Sequence, residues 1–239
     1  MKIKSLEQFI LFEDNDYLII NKPYGISSLQ ERDTTRVSIQ TLATTFVNSA
    51  QLCHRLDKET SGALALAKNP EAYKNLSGQF AKRQVSKSYH AFVAGHPQFE
   101  NEVCELPIAV SGKGKVRIDI QEGKKSTTVF NTINAFSKHT LVECQPLTGR
   151  MHQIRIHLSA NRFPIVSDVQ YGGKLLYLSE IKPKFKSSKN EEEQPLINRV
   201  ALHAHKLSFK GLKNNVIEAI APYPKDLRAL INQLEKAKK

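Results

Sequence analysis

Residues 54–68 change character part-way. His54-Arg55-Leu56-Asp57-Lys58-Glu59 is charged, Thr60-Ser61-Gly62 is small and polar, and Ala63-Leu64-Ala65-Leu66-Ala67 has no polar side chain before Lys68. The apolar run reads as a short buried strand, and a buried helical turn fits the same pattern. Thr60, Ser61 and Gly62 suit a tight turn, because the hydroxyls bond nearby backbone and Gly62 tolerates a positive φ. Asp57 then lies on a loop at the mouth of a buried element, where a scaffold commonly presents a reacting group. In most proteins an Arg-x-Asp pair on a loop is only a surface ion pair or a turn cap. The rest of the chain has to decide between the two.

Before this block, Tyr17-Leu18-Ile19-Ile20-Asn21 reads as a strand that ends at Lys22-Pro23-Tyr24-Gly25, where Pro23 fixes φ and Gly25 allows a turn. Residues 37–48 place Ile39, Leu42, Ala43 and Phe46 at helical spacing. After the block, Asn69-Pro70-Glu71 supplies an N-cap, a first-turn proline and a carboxylate at the positive end of a helix dipole. Residues 87–95 alternate as a strand, with Tyr89, Ala91 and Val93 on one face. Strands are expected over 103–110, 116–120, 127–136 and 140–145, with a basic glycine loop at 111–115 that lacks phosphate-loop spacing.

Thr148 caps an expected helix over 150–160, with Met151, Ile154 and Leu158 on one face. Asn161 is placed to end it, since Asn tolerates positive φ. Residues 182–195 turn from basic to acidic and read as a mobile loop. Strands follow from 199 and over 216–221. The final helix turns Leu227, Leu230, Ile231 and Leu234 inward. Short connections make the pairing mostly antiparallel, which defines an α+β chain.

The 239 residues suit a single domain over 1–239. Lys and Arg total 35 against 23 Asp and Glu, a net charge of +12, which favours a polyanionic partner. No apolar run approaches a membrane span, and the N-terminus has no secretory core, so the expected location is the cytoplasm, with no membrane partner. Three separated cysteines, Cys53, Cys104 and Cys144, give neither a disulfide framework nor zinc spacing. Cys53 beside His54 is a conceivable thiolate, though no cysteine-hydrolase signature surrounds it. His203 and His205 share a strand face without a further metal-ligand grouping.

His54-Arg55-Leu56-Asp57-x-x-Thr60-Ser61-Gly62 resembles the active-site motif of the RluA family of RNA pseudouridine synthases. Asn21-Lys22-Pro23-x-Gly25, Lys87-x-Tyr89, Leu147-Thr148-Gly149-Arg150-x-His152-Gln153-Ile154-Arg155-x-His157 and Leu202-His203-Ala204 are similar to further elements of that family. The resemblance covers roughly residues 17–222. It implies an α+β fold whose bent, mixed, mostly antiparallel central sheet carries flanking helices. With so few residues ahead of Asn21, it also implies a short, catalytic-domain-only member without an S4-type module, acting as a monomer.

The implied reaction isomerises uridine to pseudouridine in structured ribosomal or transfer RNA, without cofactor or metal. Asp57 would be the catalytic carboxylate. Arg155 would hold it ionised, and Tyr89 would face the flipped uracil. His54, Arg55, Arg150, His152 and Leu202 would contact RNA. Arg162 and Ser167 stand where the family has glycine, which bears on the turn near Asp168. A non-catalytic RNA-binding protein of the same fold is the alternative; it would bind RNA without turnover. A glycoside hydrolase is a further rival, but it lacks a partner carboxylate, Glu59 being only two positions from Asp57, and it leaves the basic balance unexplained.

Overall fold

The computed structural model describes residues 5–31, 36–112, 114–182, 185 and 192–237. Lys113 of the basic loop and most of the expected mobile loop, residues 183–184 and 186–191, lie outside the described residues. In chain order the elements are β1 (Ile10–Glu13), β2 (Tyr17–Lys22), α1 (Ile39–Phe46), β3 (Gln51–Leu52), β4 (Ser61–Ala67), α2 (Pro70–Ala81) and β5 (Ser86–Ala94). Then come β6 (Glu102–Cys104), β7 (Ile108–Val110), β8 (Val116–Ile118), β9 (Thr128–Ala135), β10 (His139–Pro146) and α3 (Gln153–Ala160). The chain closes with α4 (Leu178–Ile181), β11 (Leu202–Lys210), β12 (Val216–Ile220) and α5 (Lys225–Lys236). None of these helices is long and apolar enough to cross a membrane.

The residues group into two compact units, Met1–Ser88 with His203–Pro222, and Tyr89–Leu202 with Tyr223–Lys239. In the first, β2 pairs antiparallel with β1 and β4, β4 pairs parallel with β11, and β12 returns antiparallel on β11. All seven residues of β4 are buried, so the apolar run is a strand covered on both faces. Its small side chains Ala63, Ala65 and Ala67 form a core with Ala72 and Leu76 of α2. Asn69 caps α2, its Oδ1 accepting from Ala72 N at 2.8 Å.

The expected turn lies one step earlier than the composition suggests, because Ser61 and Gly62 already belong to β4. Gly62 does take a positive φ, 118°, but close approach is its main constraint. A Cβ there would sit 2.2 Å from Ala204 O, the residue paired with Gly62 across the parallel ladder.

The second unit is an antiparallel sheet in the order β5-β10-β9-β6, with β7 and β8 as a separate hairpin. The expected strand over 103–110 divides into β6 and β7 at Leu106-Pro107, since proline has no N–H to give a ladder. Apart from the parallel pair β4 with β11, the pairings named here are antiparallel, and five α-helices accompany them among the described residues, so the chain is α+β with mixed, mostly antiparallel strands.

α3 starts at Gln153, later than the expected Arg150, because His152 takes a left-handed φ of 53°. Thr148 does not cap the helix. Its hydroxyl donates to Gln153 Oε1 at 2.7 Å and accepts from Thr127 N at 3.0 Å. Asn161 does not supply the left-handed turn after α3 either; its φ is −79°. Arg162 does, with φ 68°, and Ser167 follows with φ 62°. The two positions where the family has glycine therefore keep glycine-like backbone despite their side chains, a conformation that costs an L-residue about 1–2 kcal/mol. Arg162 is exposed, so its replacement isolates the backbone. Arg162→Gly should raise stability by about 0.5–1 kcal/mol in urea melts, with Arg162→Ala unchanged; a lower midpoint for the glycine variant would show that the arginine side chain stabilises the turn.

Candidate active site

The loop from Cys53 to Thr60 joins β3 to β4 and carries Asp57, half-buried. The turn 22–28 grips its backbone on either side of that residue. Ser28 Oγ donates to Leu56 O at 2.8 Å and accepts from Leu56 N at 3.1 Å. Lys58 O accepts from Gly25 N at 2.8 Å, and Lys22 Nζ lies 3.4 Å away. Lys22 is fully buried, yet its ammonium also donates to Pro23 O and Ile26 O at 2.9 and 2.8 Å. A charge can be buried at this point because carbonyl oxygens replace its water. Thr60 N donates to Asp57 O at 3.0 Å and closes the turn into β4.

His54 points into its own unit. Its ring stacks on Phe80 at 4.5 Å, and Nε2 accepts from Ala65 N at 3.0 Å. Nδ1 therefore carries the proton of the neutral ring. Burial first, and the Lys87 ammonium second, push its pKa down to about 3. Arg55 is exposed beside it. Burial raises the Cys53 thiol to about 12, which removes it as a thiolate near neutral pH. His203 donates from Nε2 to Ala221 O at 3.1 Å and accepts at Nδ1 from the Ser61 hydroxyl at 2.9 Å. These bonds occupy both ring nitrogens, and no group of three metal-ligating side chains occurs among the described residues.

In the second unit Tyr89 lies on β5 opposite Cys144 of β10, half-buried against the core that includes Leu202. Leu202 is 3% exposed and is a core residue of that unit. Arg155 is buried on α3. Its Nε and Nη2 each donate to Asp168 at 2.7 Å, and Nη2 reaches Gln170 Oε1 at 3.1 Å. The guanidinium lies 4.9 Å over the Tyr171 ring, whose hydroxyl shares a 2.8 Å hydrogen bond with His152 Nδ1. Arg150 donates from Nε to Lys125 O at 3.2 Å.

A chain of polar groups seats α3. Gln153 Nε2 donates to Thr128 Oγ1, the Thr128 hydroxyl donates to His157 Nδ1, and His157 Nε2 donates to Leu106 O, each at 2.9 Å. Only the neutral Nε2–H form of His157 fits this order, and burial lowers its pKa accordingly. Asp168 and Tyr171, the partners that orient Arg155, carry no signal of that role in the sequence. An acid and a tyrosine just beyond a helix look like ordinary loop residues until the chain folds back.

The sequence model of the RNA pseudouridylate synthase family matches residues 16–160, more than half of the chain. The chain belongs to this family. The synthase is 37% identical over 90% of its length to ribosomal large subunit pseudouridine synthase C of Buchnera aphidicola, spanning 67% of that protein. It is 34% identical to an uncharacterised RNA pseudouridine synthase of Zymomonas mobilis, over 92% of this chain and 95% of that one. Among solved structures, human RNA pseudouridylate synthase domain containing 4 superposes with a TM-score of 0.76 at 26% identity, over 96% of this chain and 94% of the other. The α+β fold expected from the resemblance is thus the family's, and the enzyme is an RNA pseudouridine synthase, an isomerase. Asp57, Tyr89, Arg150, His152 and Arg155 all fall inside the matched span, whereas Leu202 falls outside it.

The depressed pKa of His54 makes stability depend on pH. The unfolded ring takes up a proton below about pH 6.5, whereas the folded one does so only near 3. Stability should therefore fall on acidification by about 1.4 kcal/mol per pH unit below 6.5, or about 2 kcal/mol by pH 5. His54→Gln keeps an acceptor for Ala65 N without a titrating ring. Its urea midpoint should change less between pH 7 and 5; an equal change would place the acid sensitivity in other buried histidines.

Proposed function

We propose that the synthase acts on structured RNA, with large-subunit ribosomal RNA ahead of transfer RNA, through Asp57. Relatives named for the ribosomal large subunit, at 37% and 33% identity, support the first part. The net charge of +12 suits a polyanionic substrate. The observation that carries the second part is the loop geometry. Asp57 is a half-buried carboxylate whose flanking residues Leu56 and Lys58 are held by hydrogen bonds from the 22–28 turn. A carboxylate held in place suits a sugar carbon with oxocarbenium character.

In this reading the C1′–N1 bond breaks with Asp57 acting at the sugar, the uracil turns, and C5 joins C1′. The C5 proton is lost and N1 gains one, so the product is an isomer and no redox cofactor takes part. Tyr89 supplies a flat face for the extruded base and a hydroxyl for the C5 proton. Arg155, whose Nε and Nη2 are held by Asp168, would orient the Asp57 carboxylate. Arg55, Arg150 and His152 would meet phosphate or the vacated stack, and His54, held by Phe80 and Ala65 N, would act through the loop that carries Arg55. We further infer one catalytic domain spanning 1–239, working as a monomer in the cytoplasm.

Pseudouridine maps of ribosomal and transfer RNA, taken with the gene intact, deleted and restored as Asp57→Asn, test this directly. One or more sites should vanish on deletion and return only with the wild-type copy. Return with Asp57→Asn would remove the aspartate from the chemistry. Purified Asp57→Asn should bind the same RNA within a few-fold of wild type.

Arg155→Lys should lower turnover at least ~100-fold, because an ammonium lacks the planar fork with which a guanidinium orients a carboxylate. Wild-type rates in that variant would confine Arg155 to its pairing with Asp168.

A further inference from the structure

We propose that Ser28 is a positioning residue for catalysis, fixing the Asp57 carboxylate through the backbone of Leu56. This rests on the assignment of Asp57 as the catalytic group. Ser28 is 3% exposed and Leu56 4% exposed, so water cannot serve either one. One hydroxyl both donates to the carbonyl of Leu56 and accepts from its N–H, at 2.8 and 3.1 Å. Those two bonds are what a neighbouring strand would provide in a ladder, supplied here by a single side chain. Leu56 immediately precedes Asp57.

On the far side of Asp57, Lys58 O is held by Gly25 N at 2.8 Å. Lys58 Nζ is held by Glu31 at 3.2 Å. The turn is itself anchored, since Ser27 O and Ser28 O accept from Ile39 N and Gln40 N at 2.9 and 3.0 Å at the start of α1. Leu56 and Lys58, the residues before and after Asp57, are therefore tied to the turn, and Asp57 O is held within the loop by Thr60 N, so the backbone that carries the carboxylate is fixed on both sides. Catalysis is sensitive to this kind of constraint, because a displacement of about 1 Å at a reacting group costs roughly 100-fold in rate. Gly25 and Lys22 complete the turn, and Ser28 bonds both backbone polar groups of the residue before the carboxylate.

The test uses the full-length protein and large-subunit ribosomal RNA transcribed without modification and tritiated at uridine C5, so that each turnover releases label. Ser28→Ala should lower kcat by about 30- to 100-fold with KM within about threefold of wild type, and Ser28→Thr, which restores the hydroxyl, should recover activity to within about threefold. Leu42→Ala, a core change in α1 away from the loop, serves as the stability comparator. Equal losses of kcat in Ser28→Ala and Leu42→Ala at equal urea midpoint would overturn the proposal, because a structural role alone predicts them.

If Ser28→Ala does not fold, Ser28→Cys substitutes a weaker hydrogen-bonding group of similar shape. A loss of about tenfold in kcat supports the positioning role, and an unchanged kcat overturns it. Wild type and Asp57→Asn are assayed alongside. Label released by both would overturn the Asp57 reading and this one together; release by neither would overturn large-subunit ribosomal RNA as the substrate, and the same variants are then compared on transfer RNA. Release by wild type and Ser28→Ala at equal rates, with Asp57→Asn silent, would overturn only the role of Ser28.

Discussion

The close approach of β4 to β11 is the constraint on which the first unit depends. Strands drawn from residues 61–67 and 202–210 run parallel there, and His203 and Ala204 pair with Ser61 and Gly62. A side chain at position 62 would occupy the space of the Ala204 backbone. That contact admits residues 203–222 to a unit otherwise made from the first 88 residues. It brings β12 with it and seats His203 between the Ser61 hydroxyl and Ala221 O. The loop that carries Asp57 is the lead-in to this same strand, so the position of the carboxylate follows from the packing of a fully buried β4.

Around that strand several buried polar groups are satisfied by the chain itself, and this fixes the backbone of the loop. A buried lysine spends its ammonium on turn carbonyls, and a buried serine serves both polar groups of one residue. In the second unit Gln153, Thr128 and His157 form a directed chain of donors that leaves one tautomer available. Arg155 is gripped by a bidentate carboxylate and lies over an aromatic face. Buried polar groups of this sort are costly when half-paired and restrictive when fully paired.

Much of the fold was readable because local chemistry and tertiary packing agree. Asn69-Pro70 begins α2 as its capping pattern demands, and the alternation over 87–95 is β5. The misplacements share a cause. Residues 150–152 carry a helix-compatible pattern, but His152 adopts a left-handed backbone and Thr148 is drawn to Thr127 and Gln153, partners that only β9 and α3 together provide. Arg162 and Ser167 are likewise forced into glycine-like torsions by what surrounds them. Intrinsic preference yields at such positions because packing outweighs a local cost of one or two kcal/mol.

By itself the sequence determined the α+β class, the loop placement of Asp57 and, through its motifs, the family and the chemistry. These depend on periodicity, capping and local residue order, which a linear chain displays. Tertiary structure alone decided that Gly62 serves strand contact more than a turn, and that His54 is a neutral support stacked on Phe80. It also decided that Ser28 holds Leu56 and that Asp168 and Tyr171 orient Arg155. Each of these is a pairing between residues distant in sequence or pointing inward from a loop. Its energy comes from removing both partners from water at once, and no property of either residue taken singly reports it.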